Sequence, residues 1–117
     1  MRILVVDERS AERKGIALQI RKAGHEAIEA QNGYGGAALL QNRDVDIVLL
    51  DINEPGSGGD RSLITWVKRN KPTIQIVLMS GSPLVEQMAI RYGAAGYILK
   101  SFGSADVMAL ERFFRGN

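Results

Sequence analysis

Four short apolar runs constrain this chain more than any other feature: "ILVV" at 3–6, "IVLL" at 47–50, "IVLM" at 76–79 and "YIL" at 97–99. They are rich in Ile, Val and Leu and do not alternate with polar residues. A strand exposed on one face alternates, whereas a strand covered on both faces does not. The runs therefore predict strands of a parallel sheet. A weaker run, "HEAIEA" at 25–30, does alternate and predicts a strand nearer the edge. None of the runs approaches the ~18 residues of a membrane span.

Helical stretches lie between the runs. Ser10 is placed to cap a helix that reaches about Ala23 and ends at Gly24, with Ile16, Ala17, Ile20 and Ala23 as its buried stripe. Tyr34 to Gln41 offers Ala37 and Leu40, and Asp60 to Asn70 offers Leu63, Ile64, Trp66 and Val67 before Pro72 closes it. Leu84 to Tyr92 offers Val85, Met88 and Ala89. Ser104 is placed to cap a last helix, with Asp106 in its first turn and Leu110, Phe113 and Phe114 on its apolar side. Strand and helix thus alternate five times. Parallel strands need right-handed crossovers, and helices supply them. The expected fold is α/β: one domain over 1–117, with a doubly wound five-stranded parallel sheet in flavodoxin-like order 2-1-3-4-5 and helices on both faces.

Composition narrows the function classes. The length of 117 residues suits one domain. Fifteen basic and 13 acidic residues leave a net charge of +2, and the basic residues are scattered, so direct nucleic-acid binding is not indicated. There is no cysteine, and the single histidine, His25, reads as a surface residue after Gly24. Thiolate and multi-histidine metal sites are thereby excluded within the chain. The start "MRILVVDE" has no secretory cleavage pattern, which predicts a cytoplasmic protein without membrane association. "GYGGAALL" at 33–40 is glycine-rich but lacks the order of a nucleotide-binding loop.

In such a sheet, ligands bind at the carboxyl ends of the strands. Asp7 and Glu8 follow the first run, Asp51 follows "IVLL", Ser80 follows "IVLM" and Lys100 follows "YIL". Any one of these alone could be a strand that merely stops. Together they place carboxylates, a hydroxyl and an ammonium at one rim. Crowded carboxylates repel unless a cation joins them, and Mg²⁺ suits oxygen ligands with phosphate and water. Asp51 could then attack a phosphoryl group, with Lys100 and Ser80 meeting its oxygens.

The chain resembles a response-regulator receiver domain over nearly its whole length, in the manner of the chemotaxis receivers of two-component signalling. "ILVVDE" is similar to the family's first strand and acid pair, and "IVLLDINEPGSGG" to its phosphoacceptor strand and Asp-x-x-x-Pro loop. "IVLMSG" is similar to the strand ending in the switch hydroxyl, and "GAAGYILK" to the segment carrying the switch aromatic and the lysine. "GIALQIRKAGHEAIEAQNG" follows the family's first helix and second strand. The resemblance implies Asp51 as phosphoacceptor, with Ser80 and Lys100 holding the phosphoryl group and Ser80 and Tyr97 switching. It implies Mg²⁺ held by Asp7, Glu8, Asp51 and the backbone carbonyl of Asn53. Asn53 and Ser82 occupy positions that tune dephosphorylation. The implied partner is a histidine kinase or a histidine phosphotransfer protein. The last two strand–helix units form the implied surface for a homodimer or an output partner. Such a domain is a switch that phosphorylates and dephosphorylates itself, not a turnover enzyme, and is either free-standing or part of a longer chain.

Four positions depart from the family pattern. Ser101 stands where proline usually follows the lysine, often after a cis bond; a cis bond without proline costs ~2.5–4 kcal/mol, so a rearranged trans loop is expected. The span from Ser80 to Lys100 is short, which trims the fourth helix or its leading loop. Glu54 replaces a usual apolar residue and would alter the field at the metal, a further tuning position. Gly81 replaces a usual alanine and loosens the loop after Ser80. Two rival readings follow. One is a degenerate receiver that only binds partners or dimerises. The other is a Mg²⁺-dependent aspartyl phosphatase of the haloacid-dehalogenase type, against which stand Asn53 in place of a second aspartate and the lack of a cap insertion.

Overall fold

Parity along the strands decides where the core sits. In β1 (Arg2–Val6), β3 (Ile47–Asp51) and β4 (Gln75–Ser80), successive side chains point to opposite faces of the sheet. Leu4, Val6, Val48, Leu50, Ile76 and Leu78 form one apolar cluster, and Ile3, Val5, Ile47, Leu49, Val77 and Met79 form the other. Both faces are thus apolar and both need cover. In the computed structural model, which describes residues 1–52 and 59–114, helices cover both. The expectations placed on Asn53, Glu54 and the Phe113 and Phe114 side chains lie outside the described residues.

The remaining elements are α1 (Ser10–Lys22), β2 (Glu26–Ala30), α2 (Gly33–Leu40), α3 (Asp60–Asn70), α4 (Val85–Tyr92), β5 (Gly96–Leu99) and α5 (Ser104–Phe114). The sheet is parallel throughout, in the order β2-β1-β3-β4-β5. Helices α2, α3 and α4 cover the first cluster with Leu40, Leu63, Ile64, Val67, Val85 and Ala89. Ile16 and Ile20 of α1 and Leu110 of α5 cover the second. The expected fold class and strand order hold. No helix among the described residues is long and apolar enough to cross a membrane.

Local details differ from the sequence reading for physical reasons. Ser10 is the first residue of α1, and Arg9 takes the N-cap position without a side-chain bond. The turn is made one residue earlier, because the Arg9 N–H donates to Asp7 Oδ1 at 2.9 Å. Ala23 is the exposed C-cap of α1 and not part of its buried stripe. Ser104 likewise lies inside α5, where the Gly103 N–H donates to Asp106 Oδ2 at 2.7 Å and Asp106 closes the turn. His25 is not a loose surface residue: its ring nitrogens lie 3.1 Å from the Met1 amine and 3.1 Å from Glu111 Oε2. The run "YIL" is not covered on both faces, since Ile98 is buried while Tyr97 and Leu99 are exposed. β5 is an edge strand, and only its α1/α5 face meets a full apolar cluster.

Close packing also positions the start of α3. Gly33, the buried first residue of α2, lies directly against the backbone of Gly59 and Asp60. A methyl group there would run into the Gly59 carbonyl and sit 2.9 Å from the Asp60 nitrogen. Neither backbone can yield as a flexible side chain would. Gly33→Ala is therefore expected to destabilise the fold by about 1–3 kcal/mol, seen as a lowered midpoint in urea. An unchanged midpoint would refute this contact.

Candidate functional site

Register brings the strand ends together. β1 and β3 are paired with Val6 opposite Leu50, so Asp7 and Asp51 leave the sheet side by side. Asp51 pairs with Met79 on β4, one residue before Ser80, and Ser80 pairs with Leu99 on β5, one residue before Lys100. The Lys100 N–H donates to the Ser80 carbonyl at 2.8 Å, which fixes where the lysine side chain starts. From there its ammonium reaches back across the rim. It lies 2.9 Å from Asp51 Oδ1, 3.4 Å from Asp7 Oδ2 and 2.6 Å from Glu12 Oε2. Asp7, Asp51 and Ser80 are all buried.

The electrostatics follow from this burial. Loss of water pushes the Asp51 carboxyl up from its ordinary range, Lys100 opposes the rise and Asp7 adds to it. Burial works against the Lys100 charge, but Glu12 and Asp51 outweigh it and leave its pKa raised. Glu12 is held low, first by Lys100 and then by Arg9. The site therefore contains crowded carboxylates and a cation committed to several of them at once.

The predicted residues divide into those that meet and those that do not. Asp7, Asp51 and Lys100 meet directly. Ser80 lies at the same rim, where its Oγ accepts the Ser82 N–H at 3.0 Å, and the Ser82 Oγ accepts the Leu84 N–H at 3.2 Å. Glu8 is exposed, and among the described residues no three Asp, Glu or His side chains gather closely enough to hold a metal ion. Two buried carboxylates still fit Mg²⁺, which characteristically takes one or two from the protein and completes its shell with water and phosphate oxygens. Tyr97 points outward, its hydroxyl donating to Glu86 Oε2 on α4 at 3.0 Å. α4 is short, at 8 residues. The expected trans loop after β5 is not found: the Lys100–Ser101 bond is cis. The preference against cis at a non-proline residue is local, whereas contacts on both sides hold the chain on its course here. The Lys100 N–H is tied to Ser80, and Gln19 Nε2 donates to the Phe102 carbonyl at 3.3 Å.

Two acidic residues near the site were not foreseen. Glu12 sits on α1, five residues after Asp7, where its spacing alone looks like an ordinary exposed helix position. Asp60 opens α3 and is buried after Gly59, whose φ of +78° makes the turn into the helix. Asp60 looks in sequence like a favourable first-turn acid. Its burial carries the only signal of an unusual setting, and burial is not visible in the sequence.

The fold and rim define a doubly wound α/β domain with a carboxylate–lysine site at its strand ends. The sequence pattern of the response regulator receiver domain matches residues 3–111, and the chain belongs to that family. It is thus a receiver domain of two-component response regulators. The phosphate regulon regulatory protein PhoB of Pseudomonas aeruginosa is 32% identical over 111 residues, covering 92% of this chain and 48% of PhoB. PilH of the same organism is 31% identical, covering 85% of this chain and 84% of PilH. The response regulator TrrA of Thermotoga maritima, solved in complex with Mg²⁺ and BeF, superposes with a TM-score of 0.81 at 25% identity, covering 97% of each chain. The chain spans about half the length of PhoB. Receiver domains generally bind Mg²⁺ and interact with histidine kinases and output domains.

Asp60 gives this rim a pH dependence. Burial, then Asp51 and Glu8, push its carboxyl from 3.8 up to about 7. The folded chain holds that proton up to about pH 7, while the unfolded chain loses it near 3.8. Between those values the folded state binds more protons, so Asp60 makes stability fall as pH rises, and the fall stops above about pH 7. In metal-free protein, Asp60→Asn should flatten this fall and exceed the parent in stability at pH 8 by on the order of 1–3 kcal/mol. Urea unfolding at pH 5 and pH 8 measures both, and an equal pH slope in the two proteins would refute it.

Proposed function

We propose that residues 1–117 form a single cytoplasmic receiver domain that accepts a phosphoryl group on Asp51 from a histidine kinase or a histidine phosphotransfer protein. The observation that carries the reading is the Lys100 ammonium 2.9 Å from Asp51 Oδ1 at the strand-end rim. A buried carboxylate beside a fixed cation is placed to attack phosphorus. Asp51 oxygen forms the new P–O bond as the P–N bond of the donor imidazole breaks, and the electron pair leaves on the imidazole nitrogen. Lys100 then meets the added phosphoryl oxygens, and Ser80 turns its hydroxyl from the Ser82 N–H to donate to one of them.

Asp7 and Asp51 would hold Mg²⁺, with the exposed Glu8 and the Asn53 carbonyl completing the set the family resemblance implies. When bound, Mg²⁺ supplies charge neutralisation and orientation for the phosphoryl group. The protein is a switch rather than a turnover enzyme. Ser82, Asn53 and Glu54 tune how long the phosphoryl group stays. Tyr97 leaves Glu86 and turns inward as Ser80 moves, which changes the surface of the last two strand–helix units offered to an output partner or a second copy.

Incubation with acetyl phosphate and Mg²⁺, followed by intact mass, tests the reading. A gain of one phosphoryl group is expected, with none in Asp51→Asn. Lys100→Ala should keep the label but lose the change in Tyr97 NMR resonances that labelling produces. Labelling of Asp51→Asn would place the acceptor elsewhere, and an unlabelled parent chain would favour a receiver that only binds partners.

A further inference from the structure

The nearest partner of Lys100 is not the proposed phosphoacceptor. Glu12 Oε2 lies 2.6 Å from the ammonium, closer than Asp51 Oδ1 at 2.9 Å or Asp7 Oδ2 at 3.4 Å. Glu12 comes from α1, whereas Asp51 ends β3. Its second oxygen accepts from Arg9 Nη1 at 3.0 Å, so each carboxylate oxygen holds one cation. The Glu12 side chain is 41% exposed, whereas that of Lys100 is 15% exposed. Both line a groove of about 450 Å³ between α1 and the chain after β5, with Gly15, Ile16, Gln19 and Phe102 along its walls.

A lysine seated between Asp7 and Asp51 would offset part of their charge and, for the same reason, repel any further cation there. A lysine whose charge is shared with a third carboxylate on α1 offsets those two less than a lysine given to them alone. We propose that Glu12 is a positioning residue. It shares the Lys100 ammonium with Asp51 and Asp7, and so keeps the two buried carboxylates receptive to a divalent cation. When a phosphoryl oxygen appears on Asp51, the ammonium leaves Glu12 for it. The inference rests on the reading of Asp51 and Mg²⁺ given above.

A double-mutant cycle read by calorimetry with Mg²⁺ alone tests it. Glu12→Gln keeps size and shape at a partly exposed position. It should weaken Mg²⁺ binding about fivefold, the lower end of ordinary coupling between sites. In the Lys100→Ala background the same substitution should change the affinity by less than about twofold, because Glu12 acts through the ammonium. Equal weakening in both backgrounds would mean that Glu12 acts only by its own charge, and the proposal falls. No weakening in either also overturns it. A parent chain that takes up no Mg²⁺ removes the metal reading and the proposal together. A parent that binds Mg²⁺, shows the cycle, and yet is not labelled by acetyl phosphate removes the phosphoacceptor reading and the ammonium's move to a phosphoryl oxygen, and leaves Glu12 as a positioning residue for the cation.

Discussion

Two carboxylates buried at the end of an apolar sheet lose their water and repel each other. Asp7 and Asp51 are in that position, and one ammonium group, that of Lys100, answers both. Most of the architecture around the rim serves this contact. β5 must lie beside β4 so that the Lys100 N–H meets the Ser80 carbonyl. β1 and β3 must be neighbours in register so that the two acids emerge together. The Asp7 carboxylate also accepts the Arg9 N–H, so the same side chain that needs the lysine turns the chain into α1 and brings Glu12 round to it. Removing the lysine would leave paired anions without their shared partner, which is a larger loss than one exposed ion pair.

What could be read from the sequence was whatever depends on period and order. Continuous apolar runs separated by helical stretches were enough for the sheet, its parallel sense and its strand order, because few other arrangements bury both faces. The rim was legible for the same reason: residues that follow strands must meet at one edge. The edge character of β5 was not legible, because "YIL" is too short to show that Tyr97 and Leu99 lack cover. Ser10 and Ser104 open their helices rather than cap them, because Asp7 and Asp106 make turns that compete with serine capping. The role of Glu12 depends on a contact between residues 88 apart in sequence, and helix periodicity holds no record of it.

The setting of Asp60 is likewise absent from its sequence. A first-turn acid is ordinarily favoured by the helix dipole, and composition offers no reason to doubt it here. Packing changes the sign. Gly33 lets α2 approach the backbone of Gly59 and Asp60 so closely that Asp60 is buried, and burial together with Asp51 outweighs what a helix terminus offers an anion. The glycine-rich stretch at 33–36, which could suggest a nucleotide loop, is thus used for helix packing. Asn32 caps α2 through the Gly35 N–H, and Gly36 lies against Leu63, Val6 and Leu4.

The site is therefore asymmetric in a way that bears on signalling. On the α1 side, Glu12 is half exposed and shares its charge with Arg9 and Lys100. On the α3 side, Asp60 is buried and resists ionisation. A negative phosphoryl group added at Asp51 would meet the Lys100 ammonium, which comes from the β5 side. Lys100 is already there, and it is the residue next to the exposed strand end at Leu99. A shift of its ammonium away from Glu12 would be felt first along β5. There the hydroxyl of Tyr97 is held only at the surface, by Glu86. A strand covered on both faces would resist such a change because close-packed interiors transmit strain in full. β5 is open on the face that carries Tyr97 and Leu99, so it can change its surface without breaking the core beneath Ile98.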